Sequence, residues 1–402
     1  MIKNQLPKIL MVSTEYPPMR GGVGRYTFNL VRQLRKKGMH VLVASNEEGD
    51  GDFFGLAPAN NENYRFLLKI VDEIQPDIVH IQYDLFSNCS LFKTRTNIDL
   101  FYDLCNIPIV TTFHTSFNFK QWMEIVVPIK NSDKLGRMGH LVKKLFRYWT
   151  HFLNYESFHN LNRRKLRKSA ASIVFSEYMK NKVGGGTLVY HGAESFVPFS
   201  ASKKEARSRF SLPQEGRIGL AIGFRTATKG WDIFQKMTIP DSWTIVINSS
   251  KNHYNMENLN HRVEHSKIIN LDMDFPNDTE LSLLFHAADA VLLPYKVSSG
   301  SGVMFDTLAH GLPFIASDLE FFREFASMGL GITVKRHPKA FEKSMLELDI
   351  NYSAYSKAVE SFKYKIKWDY VANMHTQLYE ISLRNASPRT LQEEEALPRS
   401  DI

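Results

Sequence analysis

Twice in this chain an apolar, strand-like run empties into a glycine turn and at once begins a helix. The first instance is KILMVS (Lys8 to Ser13), then TEYPPMR, Gly21-Gly22-Val23-Gly24 and YTFNLVRQLRKKG. Phe28, Val31 and Leu34 recur at helical spacing, Arg35 to Lys37 fill the last turn, and Gly38 is the stop. A strand follows at His40 to Ala44, so the segment reads as a βαβ unit of the doubly wound kind. The second instance is AVLLPY followed by SSGSGVMFDTLAHGLP, Ser298 to Pro313. At each turn the first N–H groups of the helix point outward with the helix dipole behind them, an arrangement that holds phosphate. Asp306, about one turn into the second helix, is placed to accept hydrogen bonds from a ribose whose phosphates sit on the loop. The competing reading is an ordinary turn in which Gly300 and Gly302 serve only the backbone. The first loop lacks the G-x-G-x-x-G spacing of dinucleotide sites, and no Walker lysine follows it.

Two such loops imply two such domains. The length agrees, because 402 residues exceed one compact core and suit two domains of roughly 200. With 43% apolar and 23% charged residues the composition is that of a soluble globular chain. No run approaches the ~18 apolar residues of a membrane span and the N-terminus has no secretory pattern, so a cytoplasmic chain is expected. Cys89 and Cys105 have neither CxxC nor metal-ligand spacing and read as reduced thiols.

Short apolar runs at Asp77 to Gln82, Ile107 to His114, Ala171 to Ser176 and Thr187 to Gly192 supply further buried parallel strands in the first half. IGLAIGF, WTIVINS, KIINL, AVLLPY and LPFIAS supply five in the second, with helices such as TELSLLFHAAD between them. The expected fold is α/β, two Rossmann-like doubly wound domains over residues 1–197 and 198–367. Ligands in such sheets bind beyond the carboxyl ends of the strands, so the glycine loops are expected to face each other across a cleft.

KILMVSTEYPPMRGGVGRY, PDIVHIQYD, TTFHTSF, RKSAASIVFSEYMK, GFRTATKGWD and the block ADAVLLPYKVSSGSGVMFDTLAHGLPFIASD, in that order, resemble the nucleotide-sugar glycosyltransferases of family 4 over roughly residues 8 to 335. The resemblance implies the GT-B fold, sugar transfer with retention of configuration, no metal in the chemistry, and a final helix within residues 368–384 that returns to the first domain. It also implies roles for named residues. Gly22, Val23 and Gly24 close the cleft from the first domain; Gly300, Ser301, Gly302 and Val303 cradle phosphate. Arg225 and Lys229 neutralise the departing diphosphate, Lys229 being the clearer match, and His114 lies beside the donor sugar. The family's paired glutamates fall on Ser298 and Asp306. Asp306 keeps a ribose-binding carboxylate with a shorter reach, while Ser298 removes a charge near the sugar. The donor expected is a UDP- or GDP-sugar, with no cofactor.

Other candidates carry less. Asp272 and Asp274 in LDMDF have the spacing of a metal-binding pair but follow a strand with no glycine loop, so a solvated turn is expected and no metal site is assigned. His80 lies inside an apolar strand and reads as packed; His191 sits in a turn where the backbone matters more than the ring. Tyr16, Arg20 and Arg25 flank the first loop, where either arginine meets phosphate or acceptor, or is simply exposed.

Lys120 to Lys168 holds twelve Lys or Arg against Glu124, Asp133 and Glu156, a local +9, so the rest of the chain is about −1 given the net charge of +8. Leu141, Leu145, Tyr148, Phe152 and Tyr155 fall at helical spacing beside Lys143, Lys144 and Arg147. Such a helix either rests on an anionic membrane surface, on the cytoplasmic face, or packs its aromatic face on its own domain. No nucleic-acid motif accompanies the basic residues, and none is expected as a partner. Residues 385–402 lack apolar periodicity and read as a disordered tail. The expected function is transfer of a sugar to a glycan or lipid-linked acceptor. The alternatives are a catalytically silent homologue that binds nucleotide or partners, for which Ser298 speaks, and a nucleotide-sugar epimerase, for which no acid/base carboxylate set is evident.

Overall fold

The computed structural model describes residues 6–57, 60, 62–84, 95–126, 137–196, 201–251 and 262–386. Cys89, the tail from residue 387 and the side chains of Leu141, Lys143, Lys144, Leu145 and Arg147 lie outside the described residues.

Seven strands form the first sheet: β1 (Lys8–Val12), β2 (His40–Asn46), β3 (Phe53–Leu56), β4 (Ile78–Tyr83), β5 (Ile109–Phe113), β6 (Ala171–Val174) and β7 (Thr187–Leu188). Six form the second: β8 (Arg217–Phe224), β9 (Trp243–Ser250), β10 (Ile268–Leu271), β11 (Ala290–Leu293), β12 (Phe314–Ser317) and β13 (Gly331–Val334). The helices of the first half are α1 (Gly22–Lys36), α2 (Asn63–Ile74), α3 (Arg95–Leu104), α4 (Phe119–Val126), α5 (Arg137–Lys168) and α6 (Glu177–Val183). Those of the second are α7 (Lys203–Arg209), α8 (Asp278–Ala287), α9 (Gly302–Ala309), α10 (Glu320–Ala326), α11 (Pro338–Phe362) and α12 (Trp368–Ala386).

The strand orders are 3-2-1-4-5-6-7 and 10-9-8-11-12-13, and every pairing is parallel. β1, β4 and β5 are buried along almost their whole length, as strands covered by helices on both faces must be. The order reverses direction between β1 and β4 and again between β8 and β11, which opens a crevice at the carboxyl ends of each pair. The turn after β1 is the first glycine loop. The turns after β8 and β11 carry Arg225 to Lys229 and Ser298 to Gly302, so topology alone brings the second domain's two motifs together.

Two edge strands escaped the sequence reading. FFGL at β3 contains a glycine and GITV at β13 begins with one, and both are too short for alternation to declare them. His114 therefore follows the fifth strand rather than the fourth. α7 begins a few residues after the expected domain boundary at 197/198, where no helix was expected, and its capping box joins Ser202 and Glu205; the S-x-x-E spacing was its signal.

α12 crosses back to the first domain as the resemblance implied, and it extends through Ala386, two residues into the stretch read as tail. Trp368 packs on Tyr26 at 5.4 Å, the Tyr379 hydroxyl bonds His80 Nδ1 at 2.7 Å, and Lys37 pairs with Asp369 at 2.5 Å. Gly192 permits the crossing, because a Cβ there would lie 2.4 Å from the Trp368 ring.

Candidate active site

The carboxyl ends of β1 and β5 face the carboxyl ends of β8 and β11, and side chains span the gap. Arg25, in the first turn of α1, sends Nη1 to Asp306 Oδ2 at 2.6 Å and Nε toward Asp278 Oδ1 at 3.4 Å. Gln121 Nε2 donates to the Ser298 carbonyl at 3.1 Å and Asn118 Nδ2 to Glu320 at 2.8 Å. Glu324 of α10 accepts from the amides of Glu177 and Tyr178 at the start of α6, each at 2.9 Å. The first domain's helix thus completes its N-terminus with a carboxylate of the second. Arg20 lies over the Phe275 ring at 4.6 Å. Arg20 and Arg25, flanking residues in the sequence, are both bridges between domains.

The two glycine loops are built differently. In the first, Glu15 is buried and its Oε2 accepts from the amides of Val23 and Gly24, each at 3.1 Å. The anion that this helix start attracts is part of the chain. A Cβ at Gly21 would stand 2.0 Å from Glu15 Oε2, whereas one at Gly22 would meet nothing within 4 Å. Glu15 was not singled out in the sequence.

In the second loop Ser301 caps α9 by accepting from the Met304 amide at 3.2 Å. No acceptor takes the amides of Gly302 and Val303 among the described residues, so the start of α9 remains an open donor site. Neither Gly300 nor Gly302 has positive φ, and a Cβ on either would meet its neighbours at 3.6 Å, an ordinary contact. The backbone therefore does not require glycine at either position, which removes the plain-turn explanation. Gly300 faces the His114 carbonyl and Gly302 faces the His191 ring, both across the cleft. Ser298 is buried, and its hydroxyl donates to the Gly300 carbonyl at 3.1 Å.

The turn after β8, which carries Arg225 and Lys229, adjoins the turn after β11. Lys296 N donates to the Thr228 carbonyl at 2.8 Å, tying the turn after β8 to the turn after β11. Lys229 Nζ sits 3.9 Å from the centre of the Tyr295 ring, which positions the ammonium without neutralising it. Arg225 Nε donates to the Ser249 carbonyl and hydroxyl, both at 3.1 Å. Neither cation is paired with a carboxylate among the described residues. Gly230 is obligatory: its φ is +73°, and a Cβ would fall 1.9 Å from the Pro294 carbonyl oxygen. The backbone must reverse there to clear the Pro294 carbonyl.

His114 Nε2–H donates to Gln82 Oε1 at 2.8 Å, and burial, then His191, lowers its pKa to about 3. His191 stacks on Phe305 at 5.5 Å, with burial lowering its pKa to about 4 against a smaller opposing pull from Asp306. Both rings are neutral near pH 7. His80 is fully buried and bonds Tyr379 and Thr112, a packed histidine. Asp272 pairs with Arg262 and Asp274 accepts from the Lys251 amide, and no cluster of metal-ligating side chains occurs among the described residues.

The aromatic face of α5 packs on α4. Phe119 touches Tyr148, Phe152 and Tyr155 at 5.1 to 5.5 Å, and Trp122 stacks on Phe158. Of the two readings of that face, packing on its own domain is the one realised. Trp149 and Leu153, on another side of α5, are 61% and 63% exposed. No helix among the described residues is long and apolar enough to cross a membrane.

Residues 20–185 match the family model described as Glycosyltransferase Family 4. No curated protein matches the chain in sequence. Among solved structures it is similar to sucrose-phosphate synthase from Thermosynechococcus elongatus, at 15% identity and a TM-score of 0.66, over 95% of this chain and 100% of that one. A glycosyltransferase from Rickettsia africae ESF-5 gives 15% identity and 0.64 over 95% and 100%. Anabaena HepE in complex with UDP-glucose gives 12% and 0.57 over 94% and 98%. The family resemblance read from the motifs holds over the matched segment, and the fold is GT-B throughout.

Proposed function

From the family 4 match and the GT-B fold, we propose that the protein is a glycosyltransferase taking a nucleotide-diphosphate sugar as donor and a glycan or lipid-linked acceptor. The observation that carries this is the pair of cations without carboxylate partners among the described residues, Arg225 and Lys229, on the turn after β8 that adjoins the turn leading into α9 at the second domain's switch point. Fixed positive charges and free amides stabilise an anion that develops as a bond breaks. That anion is the departing nucleoside diphosphate. UDP is the base we favour, supported by the UDP-glucose held by the HepE neighbour.

In this reading the bond from the anomeric carbon to the phosphate oxygen breaks with its electron pair leaving on the diphosphate. The acceptor oxygen bonds the same face of that carbon, and its proton passes to the departing phosphate oxygen, so configuration is retained and no metal is needed. Asp306 binds ribose hydroxyls after releasing Arg25. Ser301, Gly302 and Val303 hold the phosphates and Gly300 lets them approach. Gly22 to Gly24, already neutralised by Glu15, act as the wall that closes the cleft. His114, neutral, offers hydrogen bonds to the sugar rather than charge. Ser298 leaves the sugar without the family's second carboxylate and sets which donor is accepted.

A donor panel with each nucleotide sugar, in chelator and with Lys229→Ala in parallel, tests the proposal. Transfer or slow hydrolysis that persists in chelator and fails in the variant is expected. Tight nucleotide binding without turnover for any donor would instead make the chain a silent homologue.

We further place any contact with the cytoplasmic face of a membrane on Trp149 and Leu153 of α5, with the exposed Arg163, Arg167 and Lys168 beside anionic lipid. Trp149→Ser/Leu153→Ser is expected to abolish sedimentation with phosphatidylserine vesicles; unchanged sedimentation would refute the placement.

A further inference from the structure

A cavity of about 820 Å³ lies away from the cleft, where the chain passes between the domains. Its walls are Arg32 and Lys36 from the later turns of α1, the crossing Ala193 to Phe196, and Lys363, Lys367 and Trp368 from the return crossing. Arg32 is ten residues beyond Gly22, roughly 15 Å along α1 from the first glycine loop. The cavity is therefore separate from the candidate donor site. Its volume lies in the ~300–1,000 Å³ range of small-molecule sites.

The charges in it do not cancel. Four cations, Arg32, Lys36, Lys363 and Lys367, line the space with two carboxylates, Glu194 and Asp369. Asp369 is already held by Lys37 at 2.5 Å and Gln33 at 3.3 Å, both reaching it from α1. Glu194 stands 3.9 Å from Arg32, and Lys363 leans on Glu360 at 3.1 Å. Lys36 and Lys367 have no carboxylate within pairing distance among the described residues. Phe196 and the buried Trp368 and Ala193 add apolar wall beneath these charges. Cations gathered over an apolar floor in a concave site suit a ligand with a phosphate at one end and a compact body at the other.

We propose that this cavity binds a phosphorylated small molecule through Arg32, Lys36 and Lys367. The site belongs to both crossings, so its occupant touches both segments that connect the domains.

Calorimetric titration of inorganic pyrophosphate into the full chain tests it at low salt and without divalent metal, in the wild type and three variants. In Arg225→Ala/Lys229→Ala, which disables the cleft, one binding event is expected to remain. Adding Lys36→Ala/Lys367→Ala to that protein is expected to weaken the event at least tenfold, while Lys36→Arg/Lys367→Arg keeps it within about threefold. Both lysines are exposed, and unchanged thermal melting shows that the fold is intact. Loss of all binding in the cleft variant, or an event indifferent to Lys36→Ala/Lys367→Ala, overturns the proposal. The cleft reading fails separately: in that case wild-type protein shows only the event that the lysine substitutions remove.

Discussion

The two glycine loops have one motif and opposite electrostatic states. The loop of α1 contains its own anion, Glu15, bonded to the amides of Val23 and Gly24. The loop of α9 has no such anion among the described residues, and the adjoining turn after β8 carries Lys229 and Arg225 without carboxylate partners among the described residues. A helix start attracts negative charge wherever it lies. What separates a structural turn from a binding turn is whether the chain has already filled the position. This difference in charge satisfaction is the structural ground on which the proposed donor site rests in the second domain.

Breaking the open loop has the largest effect. Lys229→Ala is expected to lower turnover by about 10²–10³-fold, the usual loss when one group stabilising a developing anion is removed. Steady-state kinetics with the preferred donor checks this, and a change below threefold would move the leaving-group role elsewhere.

Acid probes the wall between the loops. His114 and His191 fall from the ordinary 6.5 to about 3 and about 4 through burial, and His375 likewise to about 4. Their folded forms are neutral while the unfolded chain takes up protons below 6.5, so stability falls as pH drops from there toward 4. Each ring contributes a loss on the order of 1.4 kcal/mol per pH unit in that window. Thermal melts from pH 7 to 4.5 are expected to drop steeply, and less so in His191→Gln. The same shifts predict no inflection from His114 in the activity profile between pH 6 and 8.

Filling the closed loop tests the other half. Gly21→Ala displaces the Glu15 carboxylate and removes the cap of α1, an expected loss of about 1–2 kcal/mol in denaturant unfolding. Nucleotide affinity should stay within about twofold; a large loss would make the first loop part of the donor site itself.

The smallest effect sharpens how the loops meet. Arg25 holds Asp306, the carboxylate assigned to ribose, at 2.6 Å. Arg25→Ala is expected to tighten UDP binding by roughly two- to fivefold, because the nucleotide no longer breaks an ion pair worth of order 1 kcal/mol. Weaker binding would show that the guanidinium turns to the phosphates instead.

Much of this was legible beforehand. The alternation of apolar runs with glycine turns declared the parallel sheets, and the order of motifs declared the family and the GT-B fold. β3 and β13 were not legible, since four-residue edge strands carry no period. Glu15 was invisible because nothing in TEYPP announces a carboxylate that folds back onto amides eight and nine residues ahead. The aromatic residues of α5 were visible as a stripe, but a stripe does not name what it packs against; Phe119 and Trp122 of α4 decided that.

The sequence by itself determined two doubly wound halves, the residue types at each loop, and a helix returning from the C-terminus, because these depend on local spacing and hydrophobic period. Only the tertiary structure decided which loop is already neutralised, that Arg25 latches Asp306, and that a cationic cavity opens between the crossings. Charge pairing is settled by distances between residues far apart in the chain, and no local pattern encodes those distances.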